Sequence, residues 1–186
     1  MIVKEKKNYF KGRMVKLKDW EVKLQEDFPF MEQDPGAERN TYKKWGFQCS
    51  GGWYQLLRKC CEDIVERYAK DGIGINEIDF VPSQIKEKFG TLRFYYHYTD
   101  TPNGIAAFDI LSTGESLRFM PKAEGEIDEA KARLREDIHA IVCAAEEKSK
   151  DICESCGAWG DLRVNHGRYR TLCDSCDDKY IKGQIE

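Results

Sequence analysis

Two Cys-x-x-Cys pairs, Cys153/Cys156 and Cys173/Cys176, stand sixteen residues apart in "CESCGAWGDLRVNHGRYRTLCDSC". A two-residue gap lets both sulfurs of a pair reach one ion while backbone amides turn toward them. Two such pairs complete a tetrahedron and leave no position for water. The expected chemistry is a structural Zn²⁺ held by Cys153, Cys156, Cys173 and Cys176. A catalytic zinc needs an exchangeable fourth ligand, which four thiolates do not leave. His166 lies between the pairs and could replace a cysteine, although four thiolates already suffice. A thioredoxin-like redox pair would sit at the strand-to-helix junction of a βαβ unit, and one pair would be enough. An iron–sulfur cluster is compatible with four cysteines but is less common at this paired spacing. Of the other cysteines, adjacent Cys60 and Cys61 would point about 100° apart on a helix and chelate poorly together. With Cys49 and Cys143 they read as small hydrophobes of the core.

A second set of residues is cationic and aromatic. In "QIKEKFGTLRFYYHY", Leu92, Phe94, Tyr96 and Tyr98 alternate with Arg93, Tyr95 and His97. That period of two predicts a strand, with Lys86 and Lys88 close to its polar-aromatic face. Arg93, Tyr95, His97, Lys86 and Lys88 together suit an anionic or nucleotide ligand. Residues 89–94 match half of the aromatic-basic strand of RNA-recognition domains but lack its leading basic-glycine pair. Arg163, Arg168 and Arg170 cluster between the cysteine pairs, with Trp159 and Tyr169 near in sequence. They could stack on bases or grip a protein surface, or they could shield the thiolate charge with their stems on aromatics. Residues 150–186 carry six bases and seven acids, a poor balance for a DNA-binding finger.

Catalytic sets are sparse. There is no nucleophile elbow, no His-Glu-x-x-His and no deaminase signature. Glu62, Asp63 and Asp79 are candidate Mg²⁺ ligands, which would make the chain a metal-dependent nuclease or phosphodiesterase. Gly51-Gly52 opens a helix, but the pattern of a phosphate loop is absent and Ser50 reads as an N-cap.

The elements that must position these residues follow from periodicity. Leu17, Trp20, Leu24 and Phe28 fit one helix face over residues 17–30, ended by Pro29, and residues 31–52 read as a loop. Trp53, Leu56, Leu57, Cys60, Cys61, Ile64, Val65 and Tyr68 form the stripe of a helix over 53–70, stopped at Asp71-Gly72. Residues 75–82 read as a strand ending at Pro82. Residues 106–120 read as a hairpin turning at 112–115. A long helix over 126–150 buries Ile127, Ala130, Leu134, Ile138, Ile141, Val142 and Ala145. It lies across the sheet and delivers the cysteine module at its C-terminal end. Within the module a hairpin joins residues 162–164 to 169–172, and a short helix follows the second pair.

The grouping predicts an α+β fold: a small antiparallel sheet against amphipathic helices, then a zinc-ribbon or treble-clef module. Residues 1–16 form a basic arm, 17–149 the core domain and 150–186 the module. At 34% charged and 41% hydrophobic the chain has a globular composition with enough apolar mass for a core. No run approaches the roughly 20 apolar residues of a membrane span. The N-terminus lacks the apolar segment of a signal peptide, so a cytoplasmic, reducing compartment is expected, where paired cysteines mean metal. Residues 1–18 carry seven bases against Glu5 alone, a charge suited to nucleic acid, to an acidic partner or to a solvated terminus.

At "WGFQCSGGWYQLLRKCCEDI", "QIKEKFGTLRFYY" and "CESCG…YRTLCDSC" the chain resembles a family of uncharacterised bacterial and bacteriophage proteins. The matching parts span most of residues 45–176. The resemblance implies a zinc-bearing, cytosolic, phage-associated protein and no reaction. It marks residues 99–124 as an insertion and leaves the basic arm outside. The expected function is that of a non-enzymatic accessory protein that binds a macromolecular or nucleotide partner, with inhibition of a host or defence system as one use.

Overall fold

The computed structural model describes residues 7–10, 13–34, 36–37, 39–101, 106–110, 115–119 and 125–185. Strands β1 (Lys7–Phe10) and β2 (Arg13–Lys16) pair antiparallel within the basic arm. Helix α1 (Asp19–Asp27) opens where the Lys18 N–H donates to the Glu21 carboxylate at 2.8 Å. It ends at Phe28, before a 3₁₀ turn over Pro29–Met31. The segment read as a loop holds two further elements, α2 (Thr41–Trp45) and β3 (Phe47–Gln48). Asn40 caps α2 by accepting the Lys43 N–H at 2.8 Å, as short polar side chains do at helix starts.

Helix α3 (Tyr54–Lys70) follows its predicted stripe, with Leu57, Cys61 and Ile64 fully buried. Strand β4 (Phe80–Lys88) does not end at Pro82 but runs on through Lys88. The ladder to β5 (Thr91–Tyr98) shifts register between Pro82 and Gln84 and leaves Ser83 as the extra residue. Proline has no N–H to give, and a bulge is where a ladder can spare one. The two strands are joined by Phe89-Gly90, both at positive φ (53° and 74°), the geometry of a tight type I′ turn.

The sheet order is β3-β4-β5, and β3 runs parallel to β4. The sheet is therefore mixed, not antiparallel as expected. Parallel neighbours need a long crossover, and α3 supplies it between β3 and β4. A two-residue strand leaves no periodicity to read. Strands β6 (Ala106–Ile110) and β7 (Glu115–Phe119) form the expected antiparallel pair; positions 112–114 of its expected turn lie outside the described residues.

Helix α4 (Glu129–Lys148) starts at Asp128, which accepts the Lys131 N–H at 2.7 Å. Leu134, Ile138, Val142 and Ala145 are buried as expected, whereas Ile127 and Ala130 lie before or within its first turn and are exposed. Its C-terminal end seals the outer edge of β5. Glu146 accepts the Phe94 N–H at 2.6 Å and Ser149 accepts the Leu92 N–H at 2.8 Å. An unsealed edge strand would leave those donors to water or to another chain. One apolar core fills the space among α1, α3, α4 and the sheet, with Trp53, Phe80, Phe94 and Tyr96 among its largest members. Beyond α4 come β8 (Asp161–Asn165), β9 (Arg168–Leu172) and α5 (Asp174–Ile181), with a small apolar cluster of their own around Cys153, Leu172 and Cys176. No described helix is long and apolar enough to cross a membrane.

Candidate metal centre and adjoining cleft

The first cysteine pair sits on a tight knuckle and the second opens α5. Cys153 and Gly157 close the knuckle: the Gly157 N–H donates to the Cys153 carbonyl at 2.8 Å, with Gly157 at φ +82°. Cys173 is the N-cap of α5 and Cys176 lies in its first turn, where the positive end of the helix dipole favours thiolate. The antiparallel pair β8–β9 runs between them. All four Sγ atoms lie within 4.8 Å of one another, and Cys156 and Cys173 are 3.7 Å apart. Sulfurs about 2.3 Å from a tetrahedral ion stand about 3.8 Å apart, so the donor set fits one soft or borderline divalent cation. The thiols are free of disulfides. Burial raises the Cys153 thiol, but N–H groups of Cys173, Cys156 and Ser155 outweigh it and hold the group below its ordinary value. Burial, with the crowding thiols, pushes Cys176 up to about 12. A cation bound among the four sulfurs would supply the positive charge that clustered thiolates need.

The knuckle is docked directly on the core. The Gly52 N–H donates to the Glu154 carbonyl at 2.9 Å, and the Trp53 indole donates to the Ile152 carbonyl at 2.9 Å. A Cβ at Gly52 would lie 2.4 Å from the Cys153 carbonyl oxygen. Gly51-Gly52 is thus a landing surface for the metal module, and its amide is spent on protein. Ser50 holds the N-cap position of the short turn there without a side-chain capping bond. A second contact joins β9 to the β4–β5 turn, where the Thr171 hydroxyl donates to the Gly90 carbonyl at 2.7 Å.

Docking leaves a cleft of about 650 Å³ between β3, the β4–β5 turn and the metal hairpin. Lys88, Arg168 and Arg170 line it together with the rings of Phe47, Phe89 and Tyr169. Three of the sequence-predicted ligand residues are thereby brought to one place from two distant segments. The ring of Tyr169 stands edge-on to Phe89 with centroids 5.8 Å apart. Arg170 pairs with the Glu154 carboxylate and stacks its guanidinium over Tyr180 at 4.8 Å. Glu154, which also lines the cleft, was not singled out from the sequence; a lone acid inside a cysteine knuckle carries no periodic signal. Its side chain is 3% exposed, burial pushes its carboxyl above the ordinary value against the pull of Arg170, and its Oε2 has no hydrogen-bond partner. Cys49 also faces the cleft, but desolvation pushes its thiol up to about 12, so it offers no thiolate at neutral pH.

The other predicted ligand residues lie elsewhere. Arg163 points to α5 and pairs with Asp174 at 2.5 Å. Lys86, Arg93, Tyr95 and His97 continue from Lys88 along one face of the sheet, as the Lys86↔Arg93 and Gln84↔Tyr95 pairing requires. Arg93, Tyr95 and His97 are buried there. Lys86 stands over the Tyr95 ring at 5.3 Å, and Ser83 and His97 are hydrogen-bonded at 2.7 Å. The candidate Mg²⁺ acids are held apart in ion pairs. Asp63 pairs with Lys59, Glu62 with Arg58, and Asp79 with Arg135 and Lys131 while accepting the Tyr68 hydroxyl. Among the described residues, the group of His, Cys, Asp or Glu side chains close enough to share an ion is the four-cysteine cluster. Cys60 and Cys61 are both core residues, while Cys143 is half-buried beside His139 at 3.5 Å rather than part of the core.

No family model, curated protein or solved structure matches this chain.

Proposed function

We propose that this chain is a zinc-stapled, non-catalytic binding protein that takes an anionic partner, a nucleotide or a nucleic-acid strand, in the cleft beside its metal module. The four cysteines hold Zn²⁺ as a structural ion in a zinc-ribbon or treble-clef unit, and saturation by four sulfurs leaves the ion no reaction to perform. The observation that carries the reading is the meeting of Lys88 with Arg168 and Arg170 across a cleft floored by aromatic rings. Its volume is that of an ordinary small-ligand site. Cations supply attraction for phosphate and rings supply stacking. Lys86, Arg93, Tyr95 and His97 support the cleft from the sheet face behind Lys88, and Arg163 braces the hairpin against α5. The resemblance of three of its motifs to those of bacterial and bacteriophage proteins supports a phage or prophage setting in the host cytoplasm. There the protein acts as an accessory factor that occupies a partner needed by a host or defence system.

The test is fluorescence anisotropy of the zinc-loaded protein with a labelled single-stranded oligonucleotide, competed by mononucleotides. The double variant Lys88→Gln, Arg168→Gln should weaken binding at least about tenfold and flatten its salt dependence. Equal affinity of variant and wild type, or no binding of either probe, overturns the reading. Incubating the same oligonucleotide with Mg²⁺ scores the alternative, a metal-dependent nuclease or phosphodiesterase, by cleavage.

A further inference from the structure

The metal hairpin has two edges, and the cleft takes one of them: residues 167–170 line it, and no described residue of β8 does. His166 and Gly167, at φ 51° and 76°, make the two-residue turn of a tight hairpin, so Asn165↔Arg168 is its hydrogen-bonded closing pair. Antiparallel pairs alternate between bonded and non-bonded. Arg163↔Arg170 is therefore a bonded pair, whereas Leu162↔Thr171 and Val164↔Tyr169 turn their N–H and C=O groups outward. The β9 edge agrees with this parity, because the Thr171 carbonyl reaches out to accept the Glu154 N–H at 2.9 Å. On the β8 edge, among the described residues, no backbone bond from outside the hairpin reaches Leu162 or Val164. The Gly160 N–H, next along that edge, is already given to the Asp151 carbonyl at 3.0 Å. The open stretch therefore runs from Leu162 to Val164.

The side chains on this stretch are open as well. Leu162 is 54% exposed and Val164 58%, and Tyr169, opposite Val164 on the same face, is 46% exposed. Leu162 packs over Gly90, where an added Cβ would lie 2.5 Å from its Cδ1, and Tyr169 touches Phe89, so this apolar face continues onto the β4–β5 turn. The reverse face looks to α5. Arg163 is shared there by Asp161 and Asp174, whose side chains are 70% and 93% exposed. Asn165 donates to Asp177 at 2.6 Å. Along the β8 side one guanidinium thus stands among three carboxylates, while Arg170, farther in, is paired with Glu154.

A row of outward N–H and C=O groups is completed by another extended backbone, which a nucleic acid does not offer. A second copy of the chain fits poorly. A stable interface between folded partners takes about 20–30 residues a side, and the edge is open over a short stretch. Antiparallel self-pairing of Leu162 with Val164 would also set Arg163 opposite its own copy, and like charges directly opposite destabilise a sheet. We infer that β8 receives an extended segment of a protein partner, antiparallel to it, as a third strand of the hairpin. The segment carries an apolar residue opposite each of Val164 and Leu162, an uncharged polar residue opposite Arg163, and a basic residue opposite Asp161, where Asp174 is also in the open. Backbone bonds supply the attachment, and the alternating side chains supply the selection.

The experiment is an NMR titration of the isotope-labelled, zinc-loaded protein with the capped peptide Ser-Val-Thr-Val-Lys-Ser, whose first valine falls opposite Val164. The Leu162 and Val164 amides should shift, and their hydrogen exchange should slow about tenfold or more at saturation. The Arg163 amide, already bonded within the hairpin, should keep its exchange rate. The analogue methylated on both valine nitrogens lacks the donors that this edge accepts and should bind about tenfold more weakly or worse. Glu in place of Lys should cost about threefold or more. Val164→Pro removes one outward donor, which an edge strand tolerates, and should weaken binding about tenfold with zinc content unchanged. If that variant does not fold, the methylated analogue on the wild type decides alone. No response at Leu162 and Val164, a methylated analogue within about threefold of the parent, a Glu peptide that binds no more weakly, or full binding by folded Val164→Pro overturns the inference. So does a concentration-dependent shift of the same two amides in the protein alone, the mark of a second copy, or their protection by a single-stranded oligonucleotide. Because β8 does not line the cleft, none of these outcomes bears on the nucleotide reading proposed above.

Discussion

Replacing Gly52 by alanine tests whether the metal module is welded to the core or merely tethered to it. The added methyl would lie 2.4 Å from the Cys153 carbonyl oxygen, 2.5 Å from the Glu154 carbonyl oxygen and 2.6 Å from the Glu154 carbonyl carbon. All three are backbone atoms of the cysteine knuckle, so no side chain can swing aside. Relief requires the knuckle to retreat, which stretches the bond from the Gly52 N–H to the Glu154 carbonyl, 2.9 Å in the native chain. Overpacking costs about 1–3 kcal/mol and a lost hydrogen bond about 1 kcal/mol. The expected destabilisation is roughly 2–4 kcal/mol, read from urea unfolding followed by tryptophan fluorescence, which Trp53 reports from the damaged site. The four cysteines are untouched, so zinc content should remain near one equivalent while ligand binding at the cleft is lost. Gly72→Ala is the control. Gly72 has φ +77° with nothing within 4 Å of an added Cβ, so it should pay only the left-handed backbone term, about 1–2 kcal/mol, and keep the cleft. A Gly52→Ala protein within about 0.5 kcal/mol of wild type, a change typical of neutral surface substitutions, would refute the docking argument.

Three further outcomes follow from the same contacts. Cys153→Ser should lower bound zinc from about one equivalent to near none and unfold the module while the main core persists, measured by elemental analysis and by helical circular dichroism; unchanged zinc would contradict the assignment. Glu146→Ala should leave the buried Phe94 N–H without its acceptor and cost about 1–3 kcal/mol in urea unfolding, with Glu146→Gln recovering part of the loss because a carbonyl acceptor remains. Burial, with the charge of Lys43, lowers the His97 pKa below its ordinary 6.5. The unfolded chain therefore binds the proton first: this contribution to stability is full above about pH 6.5 and is lost as the pH falls toward the folded pKa. An NMR titration placing His97 at or above 6.5 would refute the burial argument.

The legible and illegible parts of the molecule divide by the range of the interaction that makes them. The stripe from Leu56 to Tyr68 and the alternation from Leu92 to Tyr98 are local patterns, and both elements formed where those patterns placed them. Asn40 before "TYKKWG" is a readable cap-and-stop pair that the loop assignment passed over, since glycine and a short polar residue also mark loops. Pro82 misled for a related reason: a proline ends most strands, and only the pairing partner shows that this one occupies a bulge. The Arg93, Tyr95 and His97 face reads as polar from residue types, yet all three are buried, because burial depends on what chain segments lie above a sheet.

Residue type and spacing alone determined that two cysteine pairs would converge, because sulfurs two residues apart are held together by the local backbone and a hairpin returns the second pair. The same local rules determined the main helices and the β4–β5 pair. Tertiary structure alone decided that β3 joins the sheet in parallel, that α4 seals the edge of β5, and that Gly52 and Gly90 receive the metal module. With that docking it decided that Lys88, Arg168 and Glu154 line one cleft. These are meetings of residues far apart in the chain, fixed by packing and by which backbone donors remain unpaired, and neither quantity is written in any short stretch of sequence.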